Sequence, residues 1–100
     1  MNTNTVAVWV EMEARPGKEA EVEALLKECV AVVQNETDTV AWFAMKLSES
    51  KFCIFDTFTG ESGRKAHLDG ELARTLTAKA DELLVNPVCM QQIAIVAAKV

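Results

Sequence analysis

What most limits the folds open to this chain is that its strand-like segments are apolar on both faces. In TVAVWVEMEA, Thr5 to Ala14, Val6, Val8, Val10 and Met12 fall on one side of a period-two pattern and Ala7, Trp9, Glu11 and Glu13 on the other, the signature of a strand. Thr39 to Leu47 (TVAWFAMKL) and Lys51 to Thr59 (KFCIFDTFT) are rich in aromatic and β-branched residues, and Ser48-Glu49-Ser50 joins them at the spacing of an antiparallel hairpin. In the first arm Phe43, Met45 and Leu47 oppose Val40, Trp42 and Ala44, and in the second Phe52, Ile54, Asp56 and Phe58 oppose Cys53, Phe55 and Thr57. A final strand is predicted from Val88 to Val100, with Ile93, Ile95 and Ala97 opposite Met90, Ala94, Val96 and Ala98. A sheet built from such strands needs cover on both sides.

Two helical stretches interrupt the strands. Arg15-Pro16-Gly17 reads as a turn, after which Val22, Leu25, Leu26, Cys29, Val30 and Val33 recur at three- and four-residue steps, predicting an amphipathic helix that ends near Gln34 or Asn35. Beyond Gly60, Ser62 can cap a short helix through Leu68, Gly70 interrupts it, and Leu72, Leu76, Ala80 and Leu83 form a second stripe that Asn86-Pro87 stops. The order is β-α-β-β-α-β, an α+β, ferredoxin-like arrangement of four antiparallel strands with the helices on a single face. Residues 1–100 read as one domain. The helices leave the other face of the sheet in water, and several hundred Å² of exposed apolar sheet drives association at roughly 25 cal/mol per Å². A symmetric homodimer stacking the two sheets answers this. Such an interface is either dry or encloses cavities suited to an apolar ligand.

Composition narrows the function. Ten basic against fifteen acidic residues give a formal net charge of −5, which disfavours nucleic acid and anionic membranes. Met1 to Thr5 carry no positive charge, and Glu11 and Glu13 break the apolar run behind them, so the expectation is a cytoplasmic protein without a signal peptide or membrane span. Cys29, Cys53 and Cys89 are widely spaced with no CxxC, which fits neither a disulfide framework nor a zinc site. No nucleotide-binding, metalloprotease or nucleophile-elbow motif occurs. No cofactor and no metal are expected.

Few side chains remain for chemistry. His67 is the only histidine and titrates near neutral pH; it is either a hydrogen-bonded structural group or a general acid or base at the mouth of a cavity. Asp56 stands in an otherwise aromatic strand, a costly place for an unpaired carboxylate, and Arg64 and Lys65 are its expected partners. Trp9 and Trp42 are core or interface fillers, or walls of a binding site.

The stretches ARPGKEAEVEALL, TVAWFAMKL and above all FCIFDTFTGESGRKAHLDGELA resemble the antibiotic biosynthesis monooxygenase (ABM) family from about Val6 to the last strand. The resemblance implies a dimeric α+β barrel of two ferredoxin-like chains and a small-molecule enzyme that oxidises phenols or quinols with dioxygen, without metal or flavin. It makes His67 the proton-transfer or substrate-binding candidate and Asp56 the supporting strand acid. Phe58 falls where many members carry tryptophan and would line the cavity, with Trp42, Trp9 and Arg64 as further substrate contacts. The chain lacks an asparagine between Thr5 and Ala14, which argues against the heme-degrading branch. It reads Leu68-Asp69-Gly70-Glu71 where many members place a second histidine. The expected function is therefore cofactor-independent oxygenation of a small aromatic molecule beside the dimer interface. The alternatives are a non-catalytic binding or sensing dimer and a small-molecule isomerase of the same fold.

Overall fold

The computed structural model describes residues 6–99. Met1 to Thr5, on which the expectation of no leader partly rested, and Val100, the expected end of the last strand, lie outside the described residues. In chain order the elements are β1 (Val6–Glu13), α1 (Glu19–Val33), β2 (Thr39–Lys46), β3 (Lys51–Phe58), α2 (Glu61–Leu68), α3 (Glu71–Leu83) and β4 (Cys89–Ala94). The strands form one antiparallel sheet in the order β2-β3-β1-β4, the ferredoxin-like fold that the sequence pattern predicts. The second crossover is split at Gly70 into two helices.

The helices share one face of the sheet. Val8, Val10 and Met12 of β1 and Phe52, Ile54 and Phe58 of β3 join Val22, Leu26, Cys29 and Val33 of α1 and Leu72, Leu76, Ala80 and Leu83 of α3 in a single core. Spacings of three and four residues in the helices and two in the strands bring these side chains onto facing surfaces. The opposite face carries the cross-strand rows Phe43–Phe55–Trp9, Met45–Cys53–Glu11 and Ala41–Thr57–Ala7. Ala7 and Cys53 are buried in the middle of it, whereas Phe43 is 53% and Met45 40% exposed.

One irregularity decides which side each β2 residue occupies. Thr39 pairs with Phe58, but Ala41 pairs with Thr57 and Trp42 with Asp56, so Val40 is an extra, bulged residue. Unbroken pairing from Thr39 would set Trp42 opposite Phe55, on the face without helices. The bulge turns it to the helical side and sends Phe43 and Met45 outward.

Three expectations are corrected. Ser62 is not the cap of α2: the helix begins at Glu61, and the carbonyl of Gly60 accepts the Arg64 amide at 3.1 Å, leaving Ser62 inside the first turn. The last strand ends at Ala94, where its pairing with β1 runs out at Val6, and Val96 beyond it is fully exposed. Arg64 and Lys65 do not reach Asp56, as described below.

Gly63 sits in α2 where the helix crosses the loop before β2. A Cβ there would lie 2.8 Å from Asp38 Cβ and 3.3 Å from the Asp38 carbonyl oxygen. Alanine gains about 1 kcal/mol of helix propensity over glycine, but the clash costs about 1–3 kcal/mol and falls partly on backbone. Gly63→Ala is expected to lower the urea midpoint, with an unchanged or raised midpoint contradicting the close approach.

Candidate functional site

His67 lies in the last turn of α2, where the helix dipole favours a cation, and only 6% of it is exposed. Each ring nitrogen faces a carboxylate. Nδ1 is 2.6 Å from Glu36 Oε1 and Nε2 is 2.8 Å from Asp56 Oδ2. Phe58 packs against the imidazole at a centroid distance of 5.1 Å. The Glu36 oxygen that meets the ring also accepts a 2.7 Å hydrogen bond from the Thr39 hydroxyl.

Three segments deliver these groups to one point. Asp56 is carried by β3 with its side chain on the helical face, 99% buried between Trp42 and Val8 in the cross-strand row. Glu36 comes from the loop after α1, whose amide closes back on Val33 O at 2.9 Å. The Thr39–Phe58 pairing sets that loop beside the end of β3, where α2 starts. The Nε2–Oδ2 approach is close but off the line of a hydrogen bond, and neither Asp56 oxygen receives one among the described residues. The contact is thus a charge contact, and the carboxylate depends on His67 to be tolerated in the core.

The titration of the cluster follows from burial and charge. Burial drives the Asp56 pKa up, and the nearby imidazole opposes this only in part, so the group is held above the ordinary carboxylate value. For His67, burial acts to lower the pKa, but the contacts with Asp56 and Glu36 and their charges outweigh it and leave it raised. A carboxylate against each ring nitrogen favours the doubly protonated imidazolium. The two sites titrate as a coupled set.

His67 does not line the groove between α1 and β2. Glu36 does, and at 22% side-chain exposure it is the member of the cluster that meets solvent. One part of the groove, of about 250 Å³, is bounded by Val30, Val33, Glu36, Thr39 and Trp42. The other, of about 540 Å³, is bounded by Leu26, Val30, Trp42, Ala44, Lys46 and Phe52 among others. Trp42 borders both, and its indole N–H is buried without an acceptor among the described residues, a cost of about 1–3 kcal/mol.

The structure therefore brings together His67, Asp56, Phe58 and Trp42 and separates the other two candidates from them. Trp9 is on the helix-free face, tilted against Phe55 at 6.4 Å. Arg64 spans the Ala7 and Ile93 carbonyl oxygens at 3.3 and 3.2 Å and pairs with Glu61 at 2.7 Å, so it fastens α2 to β1 and β4. Lys65 pairs with Asp69 at 2.7 Å. Phe58 is fully buried and walls the imidazole instead of a cavity. Glu36 was not foreseen, because a loop glutamate carries no periodicity; the hairpin register, which seats its loop against the end of β3, was the available signal. Among the described residues no group of three His, Cys, Asp or Glu side chains is placed to hold a metal ion, and no helix is long and apolar enough to cross a membrane.

Comparison with solved structures places this geometry. A protein of unknown function from Nitrosomonas europaea is 38% identical, with a TM-score of 0.94 over 100% of this chain and 97% of its own. This chain belongs to the family of that protein. A second protein from the same organism, named a putative antibiotic biosynthesis monooxygenase, superposes with a TM-score of 0.80 at 8% identity over 96% and 94% of the two chains. A Bacteroides thetaiotaomicron protein of unknown function, titled a possible oxidoreductase, gives 0.76 at 14% identity over 94% of this chain and all of its own. The resemblance to the antibiotic biosynthesis monooxygenases thus holds at the level of the fold. No family model and no curated protein sequence matches the chain.

The raised pKa values fix the sign of a stability effect. The fold binds the protons of His67 and Asp56 more tightly than the unfolded chain does, so their contribution is complete below the ordinary values, 6.5 for histidine and 3.8 for aspartate. It is lost as pH rises through the folded values. The melting temperature of the wild type is expected to fall relative to that of His67→Asn as pH is raised above 6.5. A difference that stays flat or grows with pH contradicts the clamp.

Proposed function

We propose that this protein is a cofactor-independent monooxygenase for a small aromatic phenol or anthrone-like compound bound in the α1–β2 groove, with Glu36 as the proton acceptor and His67 and Asp56 as the groups that position and poise it. The observation that carries the reading is the continuous contact Asp56–His67–Glu36, which runs from the core to the floor of the groove. Glu36 Oε1 is held by His67 and Thr39, which fixes the carboxylate and leaves Oε2 for a substrate. Of the two carboxylates against His67, Glu36 is the one that reaches the groove.

The chemistry then belongs to the substrate. Loss of a proton to Glu36 gives an electron-rich anion, which passes one electron to dioxygen. Recombination of the two radicals forms the C–O bond, and loss of water from the hydroperoxide leaves a carbonyl. The balance is CH₂ + O₂ → C=O + H₂O, with no external reductant. Trp42, Ala44 and Phe52 give the groove an apolar wall against which the rings of the substrate pack. The shared fold with proteins titled as a monooxygenase and as an oxidoreductase supports this reading.

The same proposal includes a cytoplasmic homodimer sealed through the helix-free face. The exposed Phe43 and Met45, beside the half-buried Trp9 and Phe55, form an apolar patch of the kind that marks an association surface. Its three unpaired cysteines accord with a reducing compartment. Sedimentation should give twice the 11.0 kDa chain mass at micromolar concentration, and Phe43→Glu should shift it toward monomer; a wild-type monomer rejects the pairing.

Oxygen uptake with a panel of anthrones and dihydroxynaphthalenes tests the activity. Turnover should stop without oxygen and fall by about 10²–10⁴ in Glu36→Gln, with a comparable loss in His67→Ala. Ligand-dependent melting shifts without turnover identify a binding module instead, and turnover that persists under argon identifies an isomerase.

A further inference from the structure

The α1–β2 groove is not electrically uniform. Glu36 stands at one end, and at the other Lys27 and Lys46 share the carboxylate of Glu23, at 3.4 Å each. One carboxylate against two ammonium groups leaves that end positive, within a chain whose formal net charge is −5. Both lysines hold the Glu23 pKa below its ordinary value, as expected of a carboxylate outnumbered by cations. Lys46 Nζ also lies 5.8 Å from the centroid of the Phe52 ring, with its stem against the apolar wall. Among the described residues its one hydrogen bond goes to Glu23, and an ammonium group has two further hydrogens with which to meet a ligand.

Acidic proteins repel anions at long range, so a locally positive patch on the wall of an apolar groove selects for a ligand that joins a flat hydrophobic body to a negative charge. We infer that the Lys46 end of the groove binds the anionic group of the substrate, which is accordingly a fused-ring aromatic acid whose body lies along Trp42, Ala44 and Phe52. The strand from Trp42 to Lys46 spans about 13 Å, the length of a fused two- or three-ring acid. This assignment rests on the reading of the groove as the substrate site and adds to it the second anchoring point. Lys46, on this account, is a binding residue that takes no part in proton transfer.

A matched pair of ligands tests it. Titration calorimetry under argon compares a dihydroxynaphthoate with the dihydroxynaphthalene that lacks only the carboxylate. The acid is expected to bind about tenfold more tightly to the wild type, by a margin that shrinks at high salt. That margin should disappear in Lys46→Met and persist in Lys46→Arg, with the affinity for the neutral ligand unchanged in both. Circular dichroism on each variant separates a lost contact from a lost fold. Equal affinities in the wild type, or a preference that survives Lys46→Met in a folded protein, overturn the assignment while leaving the groove as the site. Binding of neither ligand overturns the groove itself.

Discussion

The imidazole of His67, held between Asp56 and Glu36, is the contact around which the helical side of this protein is organised. It joins three segments that the chain separates widely: the middle of β3, the last turn of α2 and the loop that follows α1. An ionised Asp56 at 1% exposure would be intolerable among Val8, Ile54 and Phe58 without a cation against it, since removal of one member of a buried pair costs about 3–5 kcal/mol. Satisfying Asp56 requires the imidazolium, the imidazolium carries a second N–H, and that N–H recruits Glu36. Each step commits the next. The acid that finally reaches the groove is thus held from the core by His67 as well as locally by Thr39 and the turn onto Val33.

The two faces of the sheet divide the work. The helical face holds the charged cluster and the groove, and the other holds Trp9, Phe43, Met45 and Phe55, with Cys53 buried near its centre and Glu11 toward the strand end. Phe43 and Met45 border both that face and the groove, so in the proposed pairing the groove lies at the margin of the contact.

Much of this architecture could be read from the residues. The period-two alternations of β1 and β3 and the stripe Val22, Leu26, Cys29, Val33 are set by burial, which is written directly into side-chain type. Asp56 and His67 stood out because each is chemically anomalous where it sits. Their mutual contact did not, since Arg64 and Lys65 were nearer in sequence and carry formal charge; the helical twist of α2 aims those two away from β3, toward Glu61 and Asp69. Glu36 was hidden because polar loop residues are the norm. The division of Trp9 and Trp42 between opposite faces depends on relative strand register, and alternation within each strand leaves that undetermined.

The bulge at Val40 reaches beyond the placement of Trp42. β2 is an edge strand of the sheet, and an edge that is straight, apolar and free invites hydrogen bonding from other chains, the first step toward fibrillar aggregates. An inserted residue bends the strand and breaks the even spacing of its outer amides and carbonyls. The same extra residue that turns an indole inward thus gives the most exposed aromatic strand of the molecule an outline that a neighbouring strand cannot easily copy.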